Sequence, residues 1–301
     1  MMRHLLVLAL CTVAPAVQAQ ADRGRPVILL VHGRGMTDRD TAATRKLWFN
    51  GLTAGGSTLS RSPMVDDRDV RVVWYADVLD PRSINGCDYA HDDPRARRDT
   101  KIDPGLRQFT TLAGGLLSMI SSVAGDSESA SQMRALAADA SFLSDARKRC
   151  ASEARLAAAI DRARGEGRPI VLVAHSLGSL VAYDYLSART DTGIVQRFVT
   201  LGSMAGAPDL RRLLIGGDST DTFTVPSAVK EWVNVRNDGD LFATPLPIGR
   251  DVLATPPSDE PDPHEMVGYL RGTITAREIL GAWCAAFTSN RLQGCKEVVS
   301  R

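Results

Sequence analysis

The sequence predicts an α/β protein built on a doubly wound, mostly parallel sheet. Residues 26–35 and 170–179 each contain a continuous apolar run rich in β-branched residues, without alternating polar positions. Runs of this kind are typical of strands that are buried on both faces. Helix-like segments alternate with these and further strand-like segments along the chain, which indicates parallel βαβ units with right-handed connections.

The other predicted strands are also apolar and rich in β-branched or aromatic residues, which suit a pleated, partly buried surface. They are residues 69–76, 195–203 and 231–237. Residues 37–40 resemble a capping box, and this predicts a helix through about Leu52, followed by a Gly- and Ser-rich loop to residue 68. Helices are also predicted over residues 131–165, 180–186 and 208–214, and from just after His264 to about residue 288. The proline-rich stretch 244–263 predicts an ordered surface loop.

The chain of 301 residues is long enough for one large core, and residues 22–301 are predicted to form a single domain. Residues 79–165 do not follow the strand–helix pattern and are predicted to be a helical and irregular insertion. Within it, residues 109–125 carry no charge and are fewer than the roughly 20 residues of a membrane-spanning helix. We expect this segment to be a lid over the site; a buried structural helix and contact with a membrane surface are the alternatives.

The N-terminus has the pattern of a signal peptide over residues 1–21. Arg3 and His4 precede an apolar stretch, and small residues favour cleavage near Ala19 or Ala21. The sequence therefore predicts an exported protein, either periplasmic or secreted.

Export makes disulfide bonds the expected state of the cysteines. Of the five cysteines, Cys11 lies in the predicted signal peptide, and the four that remain allow three pairings. Cys284 and Cys295 are close in sequence, which favours that pair together with Cys87–Cys150. A bridge from Cys87 to Cys150 closes a long loop, and the chain-entropy model assigns such a bridge about 4 kcal/mol of stabilisation.

Charge and cysteine spacing narrow the range of partners. Lys and Arg number 36 against 35 Asp and Glu, so we expect no nucleic-acid partner. The cysteine spacing does not suit a metal site. The acidic residues and histidine within 88–93 fit a solvated loop better than a metal site, so we expect no metal.

Ser176 is the predicted nucleophile. A strand that turns at once into a helix must pass through one strained residue, and small residues at Ala174 and Gly178 leave space for such a turn. The turn would expose the serine Oγ at the N-terminus of a helix, which is the nucleophile-elbow arrangement.

A serine nucleophile needs a base within hydrogen-bond distance, and histidine is the usual one. The chain has five histidines, of which His4 is lost with the signal peptide. His175 is expected to point away from the nucleophile, and His32 to support the loop after the first strand. His264 follows every predicted strand and is the predicted base, with His91 as the alternative.

The acid that orients the base is expected after the strand 231–237. Asp240 is preferred because the apolar residues 241–242 that follow it favour burial of its carboxylate. Asp238 is the alternative acid, but it belongs to an Asn-Asp-Gly turn signature that has its own structural explanation.

Two backbone N–H groups are predicted to form an oxyanion hole, which stabilises the negative charge of the transition state. One is the N–H of Leu177 at the start of the elbow helix. The other is the N–H of Arg34, in the turn after the first strand, where His32 and Gly33 are expected to support it.

Together these motifs resemble an α/β-hydrolase of the lipase- or esterase-like kind. The residues that carry the resemblance are 31–33, 173–179, 199–203, 237–240 and His264. The resemblance implies a catalytic triad in the order Ser, Asp, His, an acyl-enzyme on the serine, and no cofactor. The sequence departs from the family in having Ala174 where glycine is usual. It also lacks a hairpin before the first strand, so the sheet is expected to be trimmed at its N-terminal edge.

The sequence therefore predicts an exported serine hydrolase that cleaves the carboxylic esters of small molecules or lipids. A membrane-associated lipase, an acyltransferase or a thioesterase would use the same triad. A non-catalytic binding protein that retains the fold is the alternative from another class.

Overall fold

The computed structural model describes residues 23–36, 39–59, 65–79, 85–93, 145–207 and 224–287, together with Arg95, Phe142 and Cys295. Within these residues, six parallel strands form one sheet with helices on both faces. The predicted α/β class and its doubly wound parallel sheet are confirmed.

The sheet places its two most buried strands near its centre. The strands are β1 (Val27–Val31), β2 (Val70–Val73), β3 (Ile170–His175), β4 (Val195–Leu201), β5 (Trp232–Asn237) and β6 (Arg250–Ala254). Their order across the sheet is β2-β1-β3-β4-β5-β6, and each neighbouring pair is parallel. The chain reverses its direction of winding between β1 and β3, and ligands of open α/β sheets bind at the carboxyl ends of strands at such a point.

Helices cover both faces because alternate residues of the central strands point to opposite sides. The helices are α1 (Thr41–Ser57), α2 (Ala76–Leu79), α3 (Ala146–Gly165), α4 (Leu177–Ser187), α5 (Met266–Arg271) and α6 (Thr273–Ala285). Val27 and Leu29 of β1 pack with α3 and α4 in one core. Ile28 and Leu30 pack with α1, α5 and α6 in the other.

Strand β6 lies within the stretch that was predicted to be a loop, so that prediction was wrong there. The strand pairs in parallel with β5 along one side, and it contains partly exposed and charged residues rather than an apolar run. Ion pairs to β5 and to α6 stabilise this strand, which is not buried on both faces. Arg236 Nη2 donates to Asp251 at 2.7 Å, and Arg250 Nη1 donates to Glu278 at 2.7 Å.

Helix α1 extends to Ser57, through residues that were predicted to be loop. Asp40 is its N-cap and accepts a hydrogen bond from the Ala43 N–H at 2.8 Å, so the helix begins later than predicted. Gly55 lies within this helix and allows close packing against a neighbouring helix; it does not form a turn. A Cβ on Gly55 would lie 2.4 Å from the Leu270 carbonyl oxygen of α5.

The predicted C-terminal helix is two helices. Helices α5 and α6 meet at Gly272, whose backbone is extended (φ −68°, ψ 132°). The break lets α5 lie against α1 and leaves α6 to cover β1 and β3.

Disulfide bonds join Cys87 to Cys150 and Cys284 to Cys295, the same pairs that the sequence analysis favoured.

The predictions for residues 1–21, 109–125 and 208–214 lie outside the described residues. Of the predicted insertion, the structure describes α2's last residue, residues 85–93, Arg95, Phe142, Asp145 and α3. No helix in the described part of the chain is long and apolar enough to cross a membrane.

We predict that Gly55→Ala destabilises the protein by about 3 kcal/mol, because the new methyl group meets a backbone carbonyl that cannot move independently of α5. Gly165→Ala is the matched control, since a Cβ there has no heavy atom within 4 Å. The control should be neutral or up to about 1 kcal/mol more stable. Urea unfolding at pH 7 measures both variants, and equal stability of Gly55→Ala and the parent protein would contradict the packing.

Candidate active site

Ser176 is held in the elbow conformation between β3 and α4. Its backbone has φ 49° and ψ −126°, and it is the one non-glycine residue with positive φ in the described part of the chain. Such strain persists only where surrounding contacts fix it. The Ser176 N–H donates to the Leu201 carbonyl at 2.9 Å, and the Ser176 carbonyl accepts from both the N–H (2.9 Å) and the Oγ (2.5 Å) of Ser179.

The small residue at Gly178 is required by contact with the end of β1. A Cβ there would lie 2.3 Å from the His32 carbonyl oxygen and 2.9 Å from the Val31 carbonyl oxygen. The elbow helix therefore packs directly on the backbone that follows β1. Ala174 is fully buried in the sheet between Val31 and Thr200.

His264 connects Ser176 to Asp240. Its Nε2 lies 3.0 Å from Ser176 Oγ, and its Nδ1 lies 3.0 and 2.9 Å from the two carboxylate oxygens of Asp240. Because the Nδ1 proton faces the carboxylate, the lone pair of Nε2 faces the serine hydroxyl. This is the geometry of a base that can accept the serine proton.

Asp240 is buried and ionised, and three donors surround it. Burial by itself raises the pKa of a carboxyl group. Hydrogen bonds from His264, the Tyr269 hydroxyl (2.6 Å) and the Phe242 N–H (2.9 Å) outweigh burial and hold the pKa of Asp240 below its ordinary value. An ionised carboxylate at this place stabilises a protonated His264.

The preferred acid and base lie next to Ser176 or to each other, whereas the alternative acid and base are exposed to solvent. Asp240 contacts His264 and its side chain is 0% exposed, whereas Asp238 is exposed to solvent. His264 contacts Ser176, whereas His91 is exposed.

Tyr269 and Gly202 belong to the site and were not predicted to do so. Tyr269 lies in the apolar pattern of α5 and shows no polar signal in the sequence. Gly202 has φ 56°, and a Cβ there would lie 2.9 Å from Asp240 Oδ2 and 3.1 Å from His264 Nδ1. It lies within residues 199–203, which carry the family resemblance, but no role of its own was predicted for it. Glycine adopts a positive φ without the steric cost that other residues meet.

His32 is neutral and supports the turn after β1. The Tyr75 N–H donates to its Nε2 at 3.0 Å, so its proton lies on Nδ1 and is donated to the Gly33 carbonyl. Burial is the main cause that lowers the pKa of His32 to about 4. The Tyr75 hydroxyl donates to the His32 carbonyl at 2.5 Å, and the two rings stack with centroids 4.0 Å apart.

His175 forms a hydrogen bond to the backbone of His264, the residue that contacts Ser176. Its Nε2 donates to the His264 carbonyl oxygen at 2.7 Å, and the two rings lie with centroids 4.9 Å apart. Burial, followed by the nearby His264, lowers the pKa of His175 to about 3. The side chain therefore stays neutral and keeps its Nε2 proton.

The turn after β1 lies against the nucleophile. A Cβ on Gly33 would lie 3.0 Å from both Ser176 Cβ and His175 Nδ1, so the backbone of the turn approaches Ser176 closely. Leu177 is the first residue of α4, where backbone N–H groups have no partner within the helix. Both backbone segments predicted to form the oxyanion hole, at Leu177 and after Gly33, therefore lie beside Ser176.

Phe242 and Arg34 line one side of the site. The Phe242 ring packs on the His264 ring with centroids 4.7 Å apart, and the Arg34 guanidinium lies 4.9 Å above the Phe242 ring. The described residues contain no cluster of three or more His, Cys, Asp or Glu side chains suited to hold a metal ion.

We predict that the two buried histidines make the fold sensitive to acid. Their pKa values of about 4 and about 3 lie below the value near 6.5 of an unfolded histidine, so below pH 6.5 the unfolded chain binds protons that the folded chain does not. Stability is full above pH 6.5 and is lost as pH falls, by about 2 kcal/mol per histidine at pH 5.

Urea unfolding at pH 7 and pH 5 measures this loss. In His175→Gln, whose side-chain amide retains a donor but does not titrate, the loss should be smaller by about 2 kcal/mol. His91→Gln, at an exposed position, is the control and should behave as the parent protein. An unchanged loss in His175→Gln would contradict the assignment.

A family model matches part of the chain that includes the elbow. Residues 146–262, less than half of the chain, match the lecithin:cholesterol acyltransferase family, in a range that contains Ser176 and Asp240 and ends just before His264. A search of curated proteins found no match. The matched family indicates acyl transfer or ester hydrolysis on lipids as the general activity. The six-stranded parallel sheet is consistent with an α/β-hydrolase core, and residues 146–262 of the chain are similar to the lecithin:cholesterol acyltransferase family.

Proposed function

We propose that the protein is an exported serine hydrolase that cleaves carboxylic esters, with lipid esters as the preferred substrates. The observation that carries the proposal is the continuous hydrogen-bonded chain from Ser176 Oγ through His264 to the buried carboxylate of Asp240. Each link is between 2.9 and 3.0 Å, within the range in which a proton passes between heavy atoms.

In the first half of the reaction, Ser176 Oγ attacks the ester carbonyl carbon while His264 Nε2 takes the hydroxyl proton. Asp240 stabilises the imidazolium that forms. The backbone N–H groups of Leu177 and Arg34 receive the negative oxygen of the tetrahedral intermediate. The bond to the leaving oxygen then breaks as His264 returns its proton to that oxygen, which leaves an alcohol and an acyl-enzyme on the serine.

In the second half, a water molecule attacks the acyl carbon and gives a proton to His264. The serine oxygen then leaves and regains that proton, and a carboxylic acid is released. Throughout, the neutral His175 holds the His264 carbonyl at 2.7 Å, so the base keeps its place while its own charge changes.

Acyl transfer is the second candidate reaction, and the family match favours it. The same acyl-enzyme would then react with an alcohol instead of water. The two reactions are distinguished by adding an alcohol or a sterol to the assay and measuring the ratio of new ester to free acid. Hydrolysis predicts free acid as the main product at every acceptor concentration.

The two disulfide bonds support the proposed export, because structural disulfides form and persist in oxidising compartments. The proposed signal peptide over residues 1–21 predicts a mature N-terminus after Ala19 or Ala21. Contact of residues 109–125 with a membrane surface stays a proposal, as does their role as a lid.

We predict that Ser176→Ala removes activity while the fold is kept. Without the nucleophile, hydrolysis of a panel of esters from short and soluble to long and micellar should fall roughly 10⁴–10⁶-fold, and labelling by a fluorophosphonate probe should disappear. The parent protein should prefer the long-chain esters. Ser258→Ala, in an exposed loop, is the control and should retain both activities.

Persistent labelling of Ser176→Ala would place the nucleophile elsewhere. A parent protein that neither reacts with the probe nor hydrolyses any ester would instead favour a non-catalytic binding protein with this fold.

A further inference from the structure

We propose that Tyr269 is a positioning residue that fixes the orientation of Asp240 and moderates the attraction of that carboxylate for a protonated His264. The inference rests on the proposed function, and it concerns the group that holds the acid rather than the groups that react. Tyr269 is a fully buried residue of α5, and its hydroxyl contacts Asn237 at the end of β5 and Asp240 in the turn that follows.

The direction of the hydrogen bonds is fixed by their chemistry. The backbone N–H of Asn237 can only donate, and it donates to the Tyr269 oxygen at 2.9 Å. The hydroxyl proton is therefore free to point at Asp240 Oδ2, 2.6 Å away. The pKa of Tyr269 is raised, chiefly by burial and then by the nearby carboxylate, so the hydroxyl keeps its proton and remains a donor.

This donor and a second one hold the two oxygens of the carboxylate separately. The Phe242 N–H donates to Oδ1 at 2.9 Å, while Tyr269 donates to Oδ2. With both oxygens fixed, the carboxylate cannot rotate about its bond to Cβ, and both oxygens stay within 3.0 Å of His264 Nδ1. Loss of the Tyr269 donor would leave Oδ2 in contact with His264 alone.

The Tyr269 hydroxyl also affects the charge of the Asp240 carboxylate. A hydrogen bond to Oδ2 draws negative charge away from the side that faces the imidazole, and this weakens the attraction between Asp240 and a protonated His264. Removal of this hydrogen bond would therefore strengthen that attraction. His264 lies two residues before α5, and Tyr269 is the fourth residue of that helix, so both contacts to Asp240 depend on one short stretch of backbone.

Tyr269→Phe tests the proposal, with Tyr183→Phe as the matched control. Tyr183 is equally buried on the opposite face of the sheet, and its hydroxyl donates to the Thr224 carbonyl at 3.4 Å. In Tyr269→Phe, kcat for ester hydrolysis should fall roughly 10- to 100-fold, as expected for the loss of one hydrogen bond to a charged group, with little change in KM. The acidic limb of the kcat/KM–pH profile should move to higher pH, whereas the control should leave the profile unchanged.

A second variant retains the packing in case Tyr269→Phe fails to fold. Replacement of Tyr269 by 3-fluorotyrosine keeps the ring and makes the hydroxyl a stronger donor, so the acidic limb should move to lower pH. An active parent protein whose pH profile is moved by neither substitution would overturn the positioning role. Absence of hydrolysis and of Ser176 labelling in the parent protein would overturn the proposed function itself, and the positioning role with it.

Discussion

The hydrogen bond from His264 to the buried carboxylate of Asp240 is the contact on which the site depends. It fixes the tautomer of the imidazole, so the other ring nitrogen faces Ser176 Oγ at 3.0 Å. The carboxylate stays charged although it is buried, because three donors together outweigh the cost of burial. Tyr269 is one of the three donors, and it links this contact to α5 and to the end of β5.

The parallel sheet brings these groups together at the carboxyl ends of its strands. Ser176 follows β3, Gly202 follows β4 and Asp240 lies in the turn after β5, all at the carboxyl ends of their strands. The turn after β1 completes the group, because Gly33 approaches Ser176 and the His32 carbonyl packs on Gly178. Two further histidines, His32 and His175, support the turn after β1 and the backbone of His264, and burial keeps both uncharged.

Much of this was predictable from the sequence because the signals are local. An apolar run that ends in a serine between small residues predicts the strand, the turn and the helix around Ser176 at once. Strand β6 was missed because an edge strand stabilised by lateral ion pairs has no apolar run. Helix α1 was predicted too short because glycines usually mark loops, whereas Gly55 allows close contact with Leu270 across more than 200 positions of sequence. Tyr269 could not be assigned to the site, because its role depends on a contact between α5 and the turn after β5.

The contrast between Asp240→Asn and Asp238→Asn tests the central claim most directly, since the two residues are two positions apart and differ in burial and in contact with His264. Measured by kcat for ester hydrolysis at pH 7, Asp240→Asn should be roughly 10³–10⁴-fold slower, because an amide no longer holds the imidazole in the required tautomer or stabilises its charge. Asp238→Asn should match the parent protein. Equal losses in the two variants, or a larger loss in Asp238→Asn, would contradict the account.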